Sequence, residues 1–250
     1  MNKRARLLLH PAVFYFLLLI LVIMISWIGS IVEMKHLSGN TDLSIKSVLG
    51  ISGVRWAVRT WQECLKGAPI GNAVMLFMSI GVVKGCGLLR AALHFKNLSP
   101  KEQTSLYVGF ATFFVCLAAI VLGLFSGSNL LLSVTGRLAG SPLYDGFVFL
   151  LMFAVSVPSL VYGFMSDNIR SLNDCMNAFA CMAVPMTHFI ITLFVASQLV
   201  QTLYYTNIYQ VAGINMQVLK YLDFIIYWIP MPVVLYMYGS PTKNVPKHKP

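Results

Sequence analysis

Gly67 to Leu93 reads GAPIGNAVMLFMSIGVVKGCGLLRAAL. The stretch is apolar and long enough to cross a bilayer, which takes roughly 20 consecutive apolar residues as a helix. Yet it carries Asn72, several glycines and a lysine, Lys84. A membrane segment normally excludes charge, so one that keeps a charge must satisfy it. The rest of the chain reads as the scaffold that positions this segment.

Composition fixes the class. The chain has 250 residues, 58% hydrophobic and 10% charged, with a mean hydropathy of +0.76. Soluble domains carry about 25% charge. Several stretches are long enough to span, so the expected fold is an all-α polytopic membrane protein. It has about six transmembrane helices plus one interfacial amphipathic helix. The N-terminal MNKRAR followed by an apolar run resembles a secretory leader, but the run exceeds a leader's core and lacks a small-x-small cleavage site. It reads as the first membrane helix. The net charge of +10 sits in short loops and tails beside the spans, which argues for basic loops kept on the cytoplasmic side and against nucleic acid. Cys64, Cys86, Cys116, Cys175 and Cys181 are scattered, with no Cys-x-x-Cys pair, and read as small core residues. No metal or cofactor is expected.

The spans are placed at about Val13–Val32, Gly67–Leu93, Ser105–Phe125, Leu143–Met165, Cys175–Val200 and Val218–Tyr238. The section Glu33–Lys66 is polar and turn-rich around HLSGNTD. Within it Val54, Ala57, Val58, Trp61 and Leu65 recur at three- and four-residue spacing, with Arg55, Arg59, Glu63 and Lys66 between them. This periodicity fits an amphipathic helix in the membrane interface, or equally a surface helix packed on its own protein. Ser99-Pro100, with Glu102 three residues after Ser99, has capping-box spacing and marks a helix start. The linker SGSNLLLSVTGRLAGSP reads as a loop, or as a partial re-entrant element around Leu130–Leu132. Pro158 is expected to kink the fourth span. Residues 1–240 form one polytopic membrane domain in this reading, and 241–250 a disordered basic tail. The lysines and arginines of the short loops place both termini in the cytoplasm.

Few residues suggest chemistry. Lys84 is either a counter-charge for an ion or substrate, or a side chain snorkelling toward the interface. Arg90 lies six residues on, about 9 Å along a helix. Gly81, Gly85 and Gly87 surround it, and the spacing of Gly81 and Gly85 favours close helix packing. His188 follows Pro185 by three residues, so it serves a structural hydrogen bond to a freed carbonyl or a proton relay. Asn72 and Asn177 can hydrogen-bond between helices. No catalytic motif is found, so no enzyme is expected. All eight acidic residues are placed in loops or at span ends, which argues against autonomous proton- or sodium-coupled transport.

His10-Pro11, SWIGS (Ser26–Ser30) and above all SGVRWAVRTWQECLKGAPIGNAVMLFMSIGVVKGCGLL (Ser52–Leu89) resemble the AbgT family of p-aminobenzoyl-glutamate transporters. The shared pattern is an SG-x-RW start, a G-x-P-I-G turn, and a second helix ending in G-V-x-x-x-x-G-L. The resemblance covers about Leu9 to Leu93 and fades beyond. It implies the family's scaffold and dimerisation portion, without the hairpin tips and second inverted repeat that hold substrate and ions there. A glutamate is usual in the family where Lys84 stands. The chain is therefore expected to be a shortened AbgT-like transporter or permease component of the bacterial inner membrane. Its solute would be a small, anionic organic molecule, with Lys84, Asn72 and His188 as candidate contacts. The alternative is a non-transporting scaffold or partner subunit. The expected partners are the lipid bilayer and a second copy or another membrane protein.

Overall fold

A computed structural model of the chain describes residues 10–36, 45–60, 63–95, 98–125, 131–132 and 141–239. The N-terminal MNKRAR, the turn LSGNTD (Leu37–Asp42), Trp61, most of the 126–142 linker and the 241–250 tail lie outside these residues. The described part is helical: α1 (Pro11–His36), α2 (Ile51–Thr60), a 3₁₀ turn (Glu63–Gly67), α3 (Ile70–Gly85), α4 (Leu88–Leu93), α5 (Pro100–Phe125), α6 (Pro142–Met165), α7 (Leu172–Ala180), α8 (Ala183–Thr206), α9 (Ile208–Val211), α10 (Met216–Trp228) and α11 (Pro230–Tyr238). No strand occurs among the described residues, as an all-α membrane fold requires.

Five stretches among the described residues are long and apolar enough to cross a membrane: Pro11–Val32, Pro100–Phe125, Pro142–Met165, Leu172–Thr206 and Met216–Tyr238. The sixth expected span is different. Gly67–Leu93 is not one helix but α3, a turn at Cys86–Gly87, and α4. Gly87 has φ 79°, a left-handed conformation that ends the helix and that glycine adopts without penalty. The fifth span is also broken, at Cys181–Met182, and runs on to Thr206. Ser99 and Glu102 form the expected reciprocal cap, the Ser99 N–H donating to Glu102 Oε2 at 3.0 Å and the Glu102 N–H to Ser99 Oγ at 3.4 Å.

The described residues fall into two compact units, one of Met1–Ile70 with Thr187–Pro250, the other of Gly71–Met186. In the second, α5 and α6 form the most extensive helix pair, and α4 packs on both. Its core holds Val82, Cys86, Ala91, Leu106, Tyr162, Ile169 and Ala178. Ser156 Oγ donates to Ser79 Oγ across α6 and α3 at 2.9 Å. In the first unit, Tyr15 Oη ties α1 to the Ile226 carbonyl of α10 at 2.8 Å, and the Lys46 N–H donates to the Thr206 carbonyl at 3.1 Å. Large apolar side chains stay exposed along the spans, such as Phe114, Leu122 and Phe125 on α5. In lipid such a surface needs no further cover.

Candidate functional site

Lys84 stands in the last turn of α3, half-buried, where a cation is favoured by the negative end of the helix dipole. The turn beyond it is fastened from the loop after α6. Asn168 Nδ2 donates to the Cys86 carbonyl at 2.9 Å, satisfying an acceptor that the helix end leaves open. Asp167, itself at φ 59°, pairs with Lys101, whose hydrogen bond and charge hold its carboxyl below the usual range. Gly81 and Gly85 face the backbone of α7. A Cβ on Gly81 would lie 2.8 Å from the Phe179 carbonyl oxygen, and one on Gly85 2.6 Å from Ala178 Cα. Gly87 supplies the left-handed turn.

Asn72 is exposed near the start of α3, just over three turns from Lys84, or roughly 18 Å along the axis. His188 belongs to the other unit. Asn72 and Lys84 both belong to the second unit. Asn177 lies exposed on α7.

His188, half-buried on α8, meets a group the sequence did not link to it. His10 Nε2 lies 3.3 Å from His188 Nδ1, and the His188 ring stacks on Tyr238 at 3.8 Å and 14°. The Ala12 N–H donates to His10 Nδ1 at 3.1 Å, so that nitrogen carries no proton. His10 therefore donates from Nε2, and His188 accepts at Nδ1: the contact requires two neutral rings. Burial, aided by the neighbouring His188, lowers the His10 pKa from its ordinary 6.5. A lowered value means the unfolded chain takes the proton more readily. The contribution to stability is thus complete above 6.5 and is lost as pH falls below it. Thermal unfolding in detergent should show a drop in Tm from pH 7.5 to 5.5 that His10→Asn makes shallower; an equal drop in both proteins rejects the assignment.

The first unit also contains a half-buried acid, with one oxygen fully buried, that the sequence reading placed at a span end. Asp223 sits two turns inside α10, within the Met216–Tyr238 span. Tyr204 Oη of α8 donates to its Oδ2 at 2.5 Å, while its Oδ1 is buried and has no hydrogen-bond partner among the described residues. Tyr209 lies edge-on to Tyr204 at 6.0 Å. One turn along α10, the Tyr227 hydroxyl lies 4.0 Å, and Gln201 Nε2 3.5 Å, from where a Cβ on Gly67 would be. Beyond them the Cys64 thiol, hydrogen-bonded with Thr60 and Gln198, is pushed up by burial and stays protonated. The signal was visible: KYLDFIIYW puts an acid between apolar residues inside the span's own limits. An ionised carboxylate with one bare buried oxygen calls for a proton or another cation there.

Further along, Ser52, Arg55, Trp56, Arg59 and Thr60 of α2 line an open cavity of about 320 Å³. Among the described residues no group of three or more histidine, cysteine or acidic side chains could hold a metal ion.

The model of one family, the AbgT putative transporter family, matches residues 94–237, more than half of the chain. These residues begin where the resemblance read from the sequence fades, and they run from His94 through Asp223 to the last helix. Neither a curated protein nor a solved structure matches the chain.

Proposed function

Since the chain belongs to the AbgT transporter family, we propose that this multi-pass membrane protein carries a small organic anion across the bacterial inner membrane, with both termini cytoplasmic. We further propose that Asp223 exchanges the cation that accompanies transport. The observation that carries this reading is the Tyr204–Asp223 pair inside two candidate spans. One carboxylate oxygen is held by the phenol and the other has no partner among the described residues. Ionisable groups are rare inside spans, and they mark ion and substrate paths. Binding a proton or monovalent cation at Oδ1 neutralises the acid, and releasing it restores the bare oxygen. Occupancy thereby couples to whatever moves α8 against α10.

Lys84, at the end of α3, is the proposed counter-charge for the anion. Its half-buried position in the last turn of α3, within a candidate membrane segment, supports that role. No catalytic step belongs to this reading. Purified protein in liposomes loaded with p-aminobenzoyl-glutamate tests it. Flux driven by a pH or sodium gradient is expected, and Lys84→Ala should lower it several-fold. The absence of flux under either gradient overturns transport and leaves the scaffold role in its place.

A further inference from the structure

Among the described residues, helix α2 is fastened to its own unit through Gly53 and Trp56. A Cβ on Gly53 would lie 2.3 Å from the Val48 carbonyl oxygen and 2.4 Å from that of Ser47, so the helix closes directly on this backbone. Trp56 stacks on Tyr205 of α8 at 4.2 Å and 17°. These two contacts fix which way the helix turns. At 100° per residue, Ile51, Val54 and Val58 then form one outward stripe, 78%, 52% and 77% exposed. Ser52, Arg55 and Arg59 form the adjoining stripe and are exposed too. Among the described residues neither arginine makes an ion pair. The open cavity of about 320 Å³ is lined by both arginines together with Ser52, Trp56 and Thr60.

Each stripe alone has an ordinary explanation. Exposed arginines are solvated, and single apolar residues on a surface are common. Their adjacency on a helix whose rotation is fixed is harder to place in water. It matches the boundary of a bilayer, where acyl chains and phosphates lie side by side, and an amphipathic helix in the interface has this arrangement. Guanidinium groups also pair with phosphate oxygens through two parallel hydrogen bonds.

We propose that this face of α2 binds the headgroup of an anionic phospholipid, with Arg55 and Arg59 on the phosphate, Ser52 on its polar ester and glycerol oxygens, and Ile51, Val54 and Val58 among the acyl chains. The site is separate from Asp223 and does not depend on the solute carried.

The test uses the full chain in detergent, titrated with phosphatidylglycerol and with phosphatidylcholine and read by native mass spectrometry. The expected result is tighter binding of phosphatidylglycerol. Arg55→Gln and Arg59→Gln should each weaken it by about fivefold, and the double variant by about 25-fold, at about one basic residue's attraction each. Phosphatidylcholine binding should not change. Both arginines are exposed, and the comparison of the two lipids needs no variant at all, so a folding defect cannot mask the answer. Equal binding of the two lipids by the native chain overturns the proposal, as does a double variant that keeps the native preference. Inorganic phosphate binding as tightly as phosphatidylglycerol overturns it as well, since the site would then recognise a free anion.

Discussion

Asp223→Asn should leave the protein folded and reduce gradient-driven flux at least about tenfold, the factor that ~1.4 kcal/mol represents. The amide keeps nearly the shape of the carboxyl. It can still accept the Tyr204 hydroxyl through its oxygen, which preserves the link between α8 and α10. What it loses is the negative charge, and with it the ability to take up and release a cation. The atom facing the unpartnered Oδ1 position becomes an NH₂ group that cannot hold a positive ion. Tyr204→Phe acts differently: it strips Asp223 of its donor and leaves a second, part-buried oxygen without its hydrogen bond, at a cost of about 1 kcal/mol. That variant should lose thermal stability, and it separates structural damage from lost coupling. Flux and gradient dependence at native levels in Asp223→Asn would remove the acid from the mechanism. The cation would then have to be sought elsewhere in the chain.

The helical class and most spans were legible because the bilayer imposes length and apolarity, and both are written directly in composition. The capping pair Ser99–Glu102 was legible for a similar reason: its chemistry is local to four residues. Breaks within apolar runs were not. Leu172–Thr206 and Gly67–Leu93 are continuous in hydropathy, and what interrupts them is backbone conformation, at Gly87 and at Cys181–Met182. Neither changes the apolar count. The site was the least legible part. Asp223 pairs with a tyrosine 19 residues away, and His188 with a histidine 178 residues away. Such pairs depend on which helices become neighbours, and no periodicity within one segment encodes that. The family signal shows the same division. The glycine and proline motifs of residues 52–89 stand out individually, whereas the matched residues 94–237 are mainly apolar spans. There one lipid-facing side chain can replace another.

Gly81→Ala and Gly85→Ala test the close approach of α3 to α7, and the physical expectation opposes intrinsic propensity. Alanine is the better helix former by up to about 1 kcal/mol, so in an open position either change would stabilise α3. Here the added methyl group meets fixed atoms. At Gly81 it would lie 2.8 Å from the Phe179 carbonyl oxygen, and at Gly85 2.6 Å from Ala178 Cα and 2.8 Å from its Cβ. These are backbone atoms and a side chain with no rotamer to change, so α7 must move as a whole. Ala178 is buried in the core with Val82, Cys86 and Tyr162, and that movement would open the packing around it. Overpacking of this kind costs typically 1–3 kcal/mol. Gly146 provides the control. It also lies within a helix, α6, but a Cβ there meets nothing within 4 Å. Gly146→Ala should therefore raise Tm in detergent, whereas both α3 variants lower it. If all three raise it, the close approach of α3 and α7 is absent from the protein in solution, and the turn that exposes the end of α3 at Lys84 loses its support.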